Sequence, residues 1–573
     1  MGNIGKNARW RTISEFSHAV GSWGAPRMNK LGIRGRRDFL KFARIGVTSV
    51  AAAPLSLEVG SRSAPSASGA AQSSAFDVRK YGARGDGKTI DTPAINSAID
   101  AAAATGGGTV LFPAGTYVSY SIHLKSHVTL YLDSGAMILA AAVPLEGTSA
   151  GYDSPEPQGP WEPYQDFGHN HWHNSLIWGE GVHDVAILGP GLIWGRGLSR
   201  GLGHDKDLPS TKNPGVGNKA IALKNCRNII LRDFSILQGG WFAILATGVD
   251  NLTIDNLKID TNRDGMDIDC CKNVRVSNCS INSPWDDGIC PKSSFALGYA
   301  RATENVTITN CYVTGNYELG TMLDGTFKKF GPEFNNHNTG RIKFGTESNG
   351  GFKNITVSNC VFDGCRGLAL EAVDGALCED LSFVGITMRD LTNSPMFLRL
   401  GTRMRGPKDA VVGSMKRILI SNVTSYGALP EFCSIISGVP GHFIEDLKIS
   451  NIYLHQLGGG TREMASLQPP EKEDAYPEPT MFGPLPATGY FIRHCRNVEF
   501  SNIEIATEKP DLRPAFWLSN VDGADYFRVK APRAAGAPVF HLNEVTNFRV
   551  LGSRDVKDTV LDKVQTQELP SSS

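Results

Sequence analysis

A six-residue pattern returns along this chain: Asn, then alternating apolar and polar residues, then Asn again. It reads Asn251-Leu-Thr-Ile-Asp-Asn256, Asn273-Val-Arg-Val-Ser-Asn278, Asn305-Val-Thr-Ile-Thr-Asn310, Asn354-Ile-Thr-Val-Ser-Asn359 and Asn497-Val-Glu-Phe-Ser-Asn502. Looser copies occupy 228–233, 417–422 and 446–451. Each is a short strand of period two closed by a turn residue. Asn228 and Asn251 are 23 residues apart, and Asn251 and Asn273 are 22 apart. A unit of that length, made of strands and turns, matches one coil of a parallel β-helix, in which stacked coils bury the alternate apolar side chains. Repeated Asn at one turn can build a ladder of side-chain hydrogen bonds up the stack. A leucine-rich repeat has a similar period, but its Leu-x-x-Leu-x-Leu signature is missing, and antiparallel sandwiches do not keep so constant a register. The expected architecture is therefore all-β, a right-handed parallel β-helix over residues 76 to about 560, with 561–573 as a C-terminal tail.

An open first coil invites edge-to-edge association. Asp91-Thr92-Pro93 is a helix start, with a cap residue and Pro at the first position. Ile95, Ile99 and the Ala run to Ala104 continue it, and Gly106-Gly107-Gly108 ends it. The expectation is a short N-terminal capping helix over the first coil.

Before this domain, residues 34–41 read Arg-Gly-Arg-Arg-Asp-Phe-Leu-Lys, followed by a weakly apolar stretch from Ile45 to Leu55 and then a Ser/Ala/Gly-rich segment over 60–75. The order of basic, apolar and small residues resembles a twin-arginine export signal with Arg36 and Arg37 as the pair. Residues 28–75 are thus expected to be signal and linker, with Met28 a candidate start, and the product to be exported to the periplasm or beyond. The apolar stretch is too short for a membrane span. With 57 basic and 57 acidic residues and no long basic run, the chain lacks the charge bias of a nucleic-acid surface. The 11 cysteines fit buried thiols rather than a disulfide framework, since Cys279, Cys311 and Cys360 recur at one repeat position. Neither a metal nor a cofactor is expected. A monomer is expected.

The repeat also puts acidic residues in register. Asp264 lies 13 residues after Asn251, and Asp286 lies 13 after Asn273, which places both at one position of consecutive coils if no bulge intervenes; Asp287 follows directly. Carboxylates forced together raise one another's pKa. That is how an enzyme keeps one carboxyl protonated beside others that are ionised, as glycoside hydrolysis requires. Turn aspartates or a calcium site are the plainer alternatives.

The flanking residues narrow this. Asn262-Arg-Asp264-Gly-Met-Asp267, Asp286-Asp287-Gly-Ile-Cys-Pro-Lys292 and Arg341-Ile-Lys343 follow in that order. The set resembles the polygalacturonase family of glycoside hydrolases, family 28, and residues 76–117 resemble the opening of pectin-degrading β-helix enzymes. The resemblance implies that Asp286 is the general acid, that Asp264 and Asp287 position and activate water, and that Asn262, Arg341 and Lys343 bind substrate. It implies an inverting hydrolase acting on a galacturonate-containing pectic polysaccharide or oligosaccharide. The family's Gly-His-Gly motif is replaced by Gly315-Asn-Tyr-Glu-Leu-Gly320, so Tyr317 or Glu318 is expected at the cleft wall. Arg341 and Lys343, two apart on a strand, share a face and are expected to read a uronate carboxylate together. His169, His171 and His173 alternate, as either a metal set or a substrate-facing loop. Trp161, Trp172, Trp194 and Trp241 are candidate sugar-stacking residues as well as candidate core. Segments of about 143–174, 195–219 and 457–490 interrupt the coil rhythm and are expected to close one end of the cleft, favouring attack from a chain end. The competing functions are a calcium-dependent polysaccharide lyase on the same fold and a noncatalytic glycan-binding β-helix.

Overall fold

A computed structural model describes residues 75–142, 151–200, 209–331, 334, 338–532, 534 and 536–571. The expected export signal, and all but residue 75 of the linker, lie outside them.

The strands stack in parallel, coil upon coil, in the register the repeat dictates. Asp250 pairs with Lys272, Lys272 with Glu304, and Glu304 with Lys353. The apolar members, Leu252, Ile254, Val274, Val276, Val306 and Ile308, all turn inwards and are buried. Because the side chains of one face alternate strictly, a slip of one residue would carry the whole set into water.

The flanking Asn residues do two jobs. Asn251, Asn256, Asn273, Asn278, Asn305 and Asn310 all sit at φ between 53° and 58°. In this left-handed region Asn is penalised least among residues with a Cβ. Their amides then link the coils: Asn251 donates to Asn228 (2.9 Å), Asn273 to Asn251 (3.2 Å), Asn305 to Asn273 (3.1 Å) and Asn354 to Asn305 (3.3 Å). Even the looser copies keep the bend, with Arg417 at 56° and Asp446 at 54°. The 11 cysteines are all free and buried.

Helix α1, Thr92–Ala104, buries Ala94, Ile95, Ala98, Ile99 and Ala102 against the first coil. Asp91 does not cap it through its side chain. Its carboxylate instead accepts from the backbone N–H groups of Arg84 and Gly85, at 2.8 and 3.0 Å. At the other end, the expected tail is a strand. Thr559–Pro570 pairs antiparallel with Pro538–Leu551, so the domain extends about ten residues further and its last parallel strand is covered.

One sheet carries the site. Its six parallel strands run from Ile122–His123 through Phe242–Thr247 and Asp264–Asp269 to Ile289–Lys292. Ile342 bridges onto Ile289, and Lys343–Phe344 then pairs with Leu368–Ala372.

Candidate active site

The coil bearing the Asp doublet holds one residue more than the coil before it. Asp260 and Asn282 are partners 22 residues apart, whereas Met266 pairs with Ile289 and the Asp287 amide meets Asp264 across 23. The extra residue falls between Asn282 and Ile289. It is therefore Asp287, not Asp286, that stacks on Asp264, and Asp286 bulges outwards. This corrects the register expected from the Asn spacing, and a bulge of this kind re-aims a side chain at a sheet edge. Exposure follows: Asp264 is 4% and Asp287 2% accessible, while the Asp286 side chain is 26% accessible. The Asp287 N–H donates to both other carboxylates, at 3.3 Å to Asp264 and 3.1 Å to Asp286.

The three carboxyls differ electrostatically. Burial, with the neighbouring charges of Asp286 and Asp267 adding to it, pushes Asp264 well above the usual carboxylate range. Burial would raise Asp287 too, but the charges of Lys343 and Arg341 outweigh it and hold that carboxyl well below the range. Arg341 Nε donates to Asp287 Oδ1 at 2.9 Å, and Lys343 Nζ lies 2.9 Å from Oδ2. Asp286 pairs with the Arg263 guanidinium at 2.9 Å. The two stacked carboxyls are thus pushed in opposite directions, Asp264 up and Asp287 down.

Around these groups opens a cleft of about 500 Å³, lined by Trp285, Asp286, Asp287, Lys343, Arg366, Tyr476 and Glu478 among others. A narrower polar recess continues past Asp264 to His169, Lys292, Glu347 and Arg405. His169 is the member of the alternating trio that reaches the site. Its Nε2 lies 3.1 Å from Asp267, and Lys292 pairs with Glu347 at 2.9 Å. His171 bonds its own loop at the Phe167 carbonyl, and His173 pairs with Glu180.

Two expectations about substrate contacts change. Arg341 is 1% exposed and turned to Asp287 and Glu478, so it supports a carboxylate rather than facing the cleft; Lys343 does line it. Tyr317 and Glu318 are engaged elsewhere. The Tyr317 hydroxyl reaches Asp363 at 3.2 Å, and Glu318 pairs with Lys328 at 2.8 Å on the surface. The helical turn Thr321–Asp324 follows them and packs on Lys258–Asp260, away from the doublet. Asn262 is half-buried in the turn before Asp264.

Of the tryptophans singled out, Trp172 and Trp241 are core. The tryptophan that lines the cleft, where Tyr476 is a second exposed aromatic, is Trp285, 41% exposed and next to Asp286. Phe330 and Phe334 meet its ring edge-on at 5.8 and 5.6 Å, and Arg200 lies over it. All three interrupting segments reach the site: Asp166 and His169 from the first, Arg200 from the second, Tyr476 and Glu478 from the third.

Among the described residues, Asp264, Asp287 and Cys290 form one of three donor sets close enough to share a metal ion. Arg341 and Lys343 already neutralise Asp287, which leaves that set little field for a cation.

Comparison with known proteins points to the same fold. Residues 75–168 match the family model described as rhamnogalacturonase A/epimerase, pectate lyase-like, and residues 219–379 match that of the right-handed β-helix region. A Vitis vinifera protein named "Probable polygalacturonase" is 25% identical over 410 residues, covering 63% of this chain and 77% of its own. The plasmin and fibronectin-binding protein A of Streptococcus pneumoniae is 28% identical over 267 residues, 44% of this chain but 33% of that relative. The family 28 exopolygalacturonase structure of Yersinia enterocolitica superposes with a TM-score of 0.57 at 19% identity, over 78% of this chain and 77% of that one.

Proposed function

We propose that this chain, a polygalacturonase-like member of the right-handed β-helix, pectin lyase-like superfamily, hydrolyses a galacturonate-containing pectic glycan with inversion at the anomeric centre. The observation that carries this reading is the arrangement of three adjacent carboxyls, with Asp264 and Asp287 stacked and buried and Asp286 bulged out into the cleft beside them. Asp286, on the bulge and open to the cleft, is placed to protonate the leaving oxygen. Asp287, held ionised by Arg341 and Lys343, orients the attacking water together with Asp264. Trp285 offers an apolar face to a sugar ring beside the acid. Lys343 lines the cleft with its ammonium on Asp287 Oδ2, where a uronate carboxylate can meet it.

A lyase on this fold would need a neutral base. Burial opposes the charged form of Lys343 and Arg341, but the carboxylates around them prevail and keep both cationic far above neutral pH. The reading includes export by the twin-arginine-type signal at 28–75; among the described residues no helix is long and apolar enough to cross a membrane. The test of mechanism is NMR of the products formed in the first minutes of hydrolysis. Inverted configuration at the new reducing end is expected, and retention would refute the assigned roles.

A further inference from the structure

The wall of the cleft contains a carboxylate that the reaction does not use. Glu478 reaches in from the long segment at 457–490, and its side chain is 15% exposed. Oε2 accepts from Arg341 at 2.9 Å and from Arg366 at 3.0 Å, and Oε1 accepts from the Asn393 amide at 2.9 Å. The three donors come from successive coils and converge on one point. Two guanidinium groups and an amide closing on a carboxylate is the arrangement a protein builds to recognise a uronate. Here the chain fills it itself.

Glu478 is fixed there by its own surroundings. It lies between Pro477 and the 3-10 turn Pro479–Phe482, and Phe482 is buried with Ala369, Phe397 and Phe491. Each of the three side chains is then already engaged by Glu478. A substrate carboxylate arriving at this wall would meet a fixed negative charge and find Arg366, the cation of the cradle that lines the cleft, already paired. Unfavourable juxtaposition of like charges is how a site rejects one of two similar ligands.

We propose that Glu478 excludes a uronate from the subsite it lines and leaves that side of the scissile bond to a neutral sugar. This rests on reading the cleft as a pectic-glycan site. It narrows the substrate to a linkage between a galacturonate and a neutral residue, such as a deoxyhexose or a pentose.

The test is binding of monosaccharides, which is independent of turnover. D-Galacturonate and D-galactose are titrated calorimetrically into the wild-type protein, Glu478→Ala and Glu478→Gln, with circular dichroism as the check on folding. Glu478→Gln keeps the side-chain shape should the alanine variant fail to fold. Removing the charge is expected to tighten galacturonate about tenfold or more, the scale of one charge-assisted hydrogen bond, and to leave galactose unchanged. Adding Arg366→Gln is expected to abolish the gain. An unchanged galacturonate-to-galactose ratio in the variants, as a mere tether for the segment would give, overturns the proposal. So does a gain that survives Arg366→Gln. Failure of the hydrolase reading shows separately, as no products from any pectic polymer with the wild-type protein.

Discussion

Asp286 and Asp287 are neighbours in sequence, yet their surroundings give them opposite consequences when mutated. Asp286→Asn removes a partly exposed partner of Arg263, so stability should change by about 1 kcal/mol or less. Turnover should fall by roughly 10²–10⁴-fold, the range for a lost general acid. Asp287→Asn leaves Arg341 and Lys343 buried without their shared carboxylate. It should destabilise the fold by about 3–5 kcal/mol in denaturant titration, and equal stability losses in the two variants would contradict the geometry. Glu371, buried beneath the site, supplies a pH test. Burial raises it to about 7 against an ordinary 4.5, even though Lys343 and Arg341 pull it down. Between those pH values the native state keeps a proton that the unfolded chain has released. Stability from this group therefore falls as pH rises from about 4.5 to about 7, by on the order of 3 kcal/mol. Glu371→Gln should flatten that slope in thermal unfolding curves across the range. Which acidic residues cluster was legible in the sequence, because Asn spacing fixes the coil. Which of them stack was not, because one inserted residue between Asn282 and Ile289 leaves every motif intact and shifts the pairing by one.

At the scale of the element, the strand–turn unit owes its constancy to the Asn bend as much as to the apolar alternation. Asn273 can be dissected. Gly also adopts the left-handed conformation, so Asn273→Gly removes chiefly the ladder bonds, a cost of about 0.5–1.5 kcal/mol. Asn273→Ala adds the penalty of a left-handed Cβ, a further 1–2 kcal/mol or so. Alanine should therefore lower Tm more than glycine, and the reverse order would show that the bend is not what selects Asn. The pattern gave away coils, capping helix and ladder because each repeats or carries a local signal. The long insertions carry no register, so nothing in the sequence placed Tyr476 and Glu478 in one cleft with Trp285, or took Tyr317 and Glu318 away from it. Trp285 itself had a signal, a large aromatic beside the doublet at an outward-facing bulge. Trp285→Ala should raise KM with little change in kcat, by about 0.5–1.5 kcal/mol in binding, as read from initial rates on a defined oligosaccharide.

Across the described coils, the stacked strands supply a continuous wall, and the irregular segments shape one stretch of it. Residues from all three segments reach the carboxylates or the Trp285 and Arg263 beside them, which suits a site that takes a chain end rather than the middle of a polymer. Viscosity of a pectic polymer should then fall slowly relative to the release of reducing ends. The most direct measurement of the central claim is mass spectrometry of products from polygalacturonate, rhamnogalacturonan and xylogalacturonan, with wild type and Asp286→Asn side by side. Saturated products, each bond cleaved having taken up one water, are expected from at least one uronate-containing polymer with wild type and almost none with the variant. Unsaturated products, or none from any polymer with wild-type protein, would contradict it.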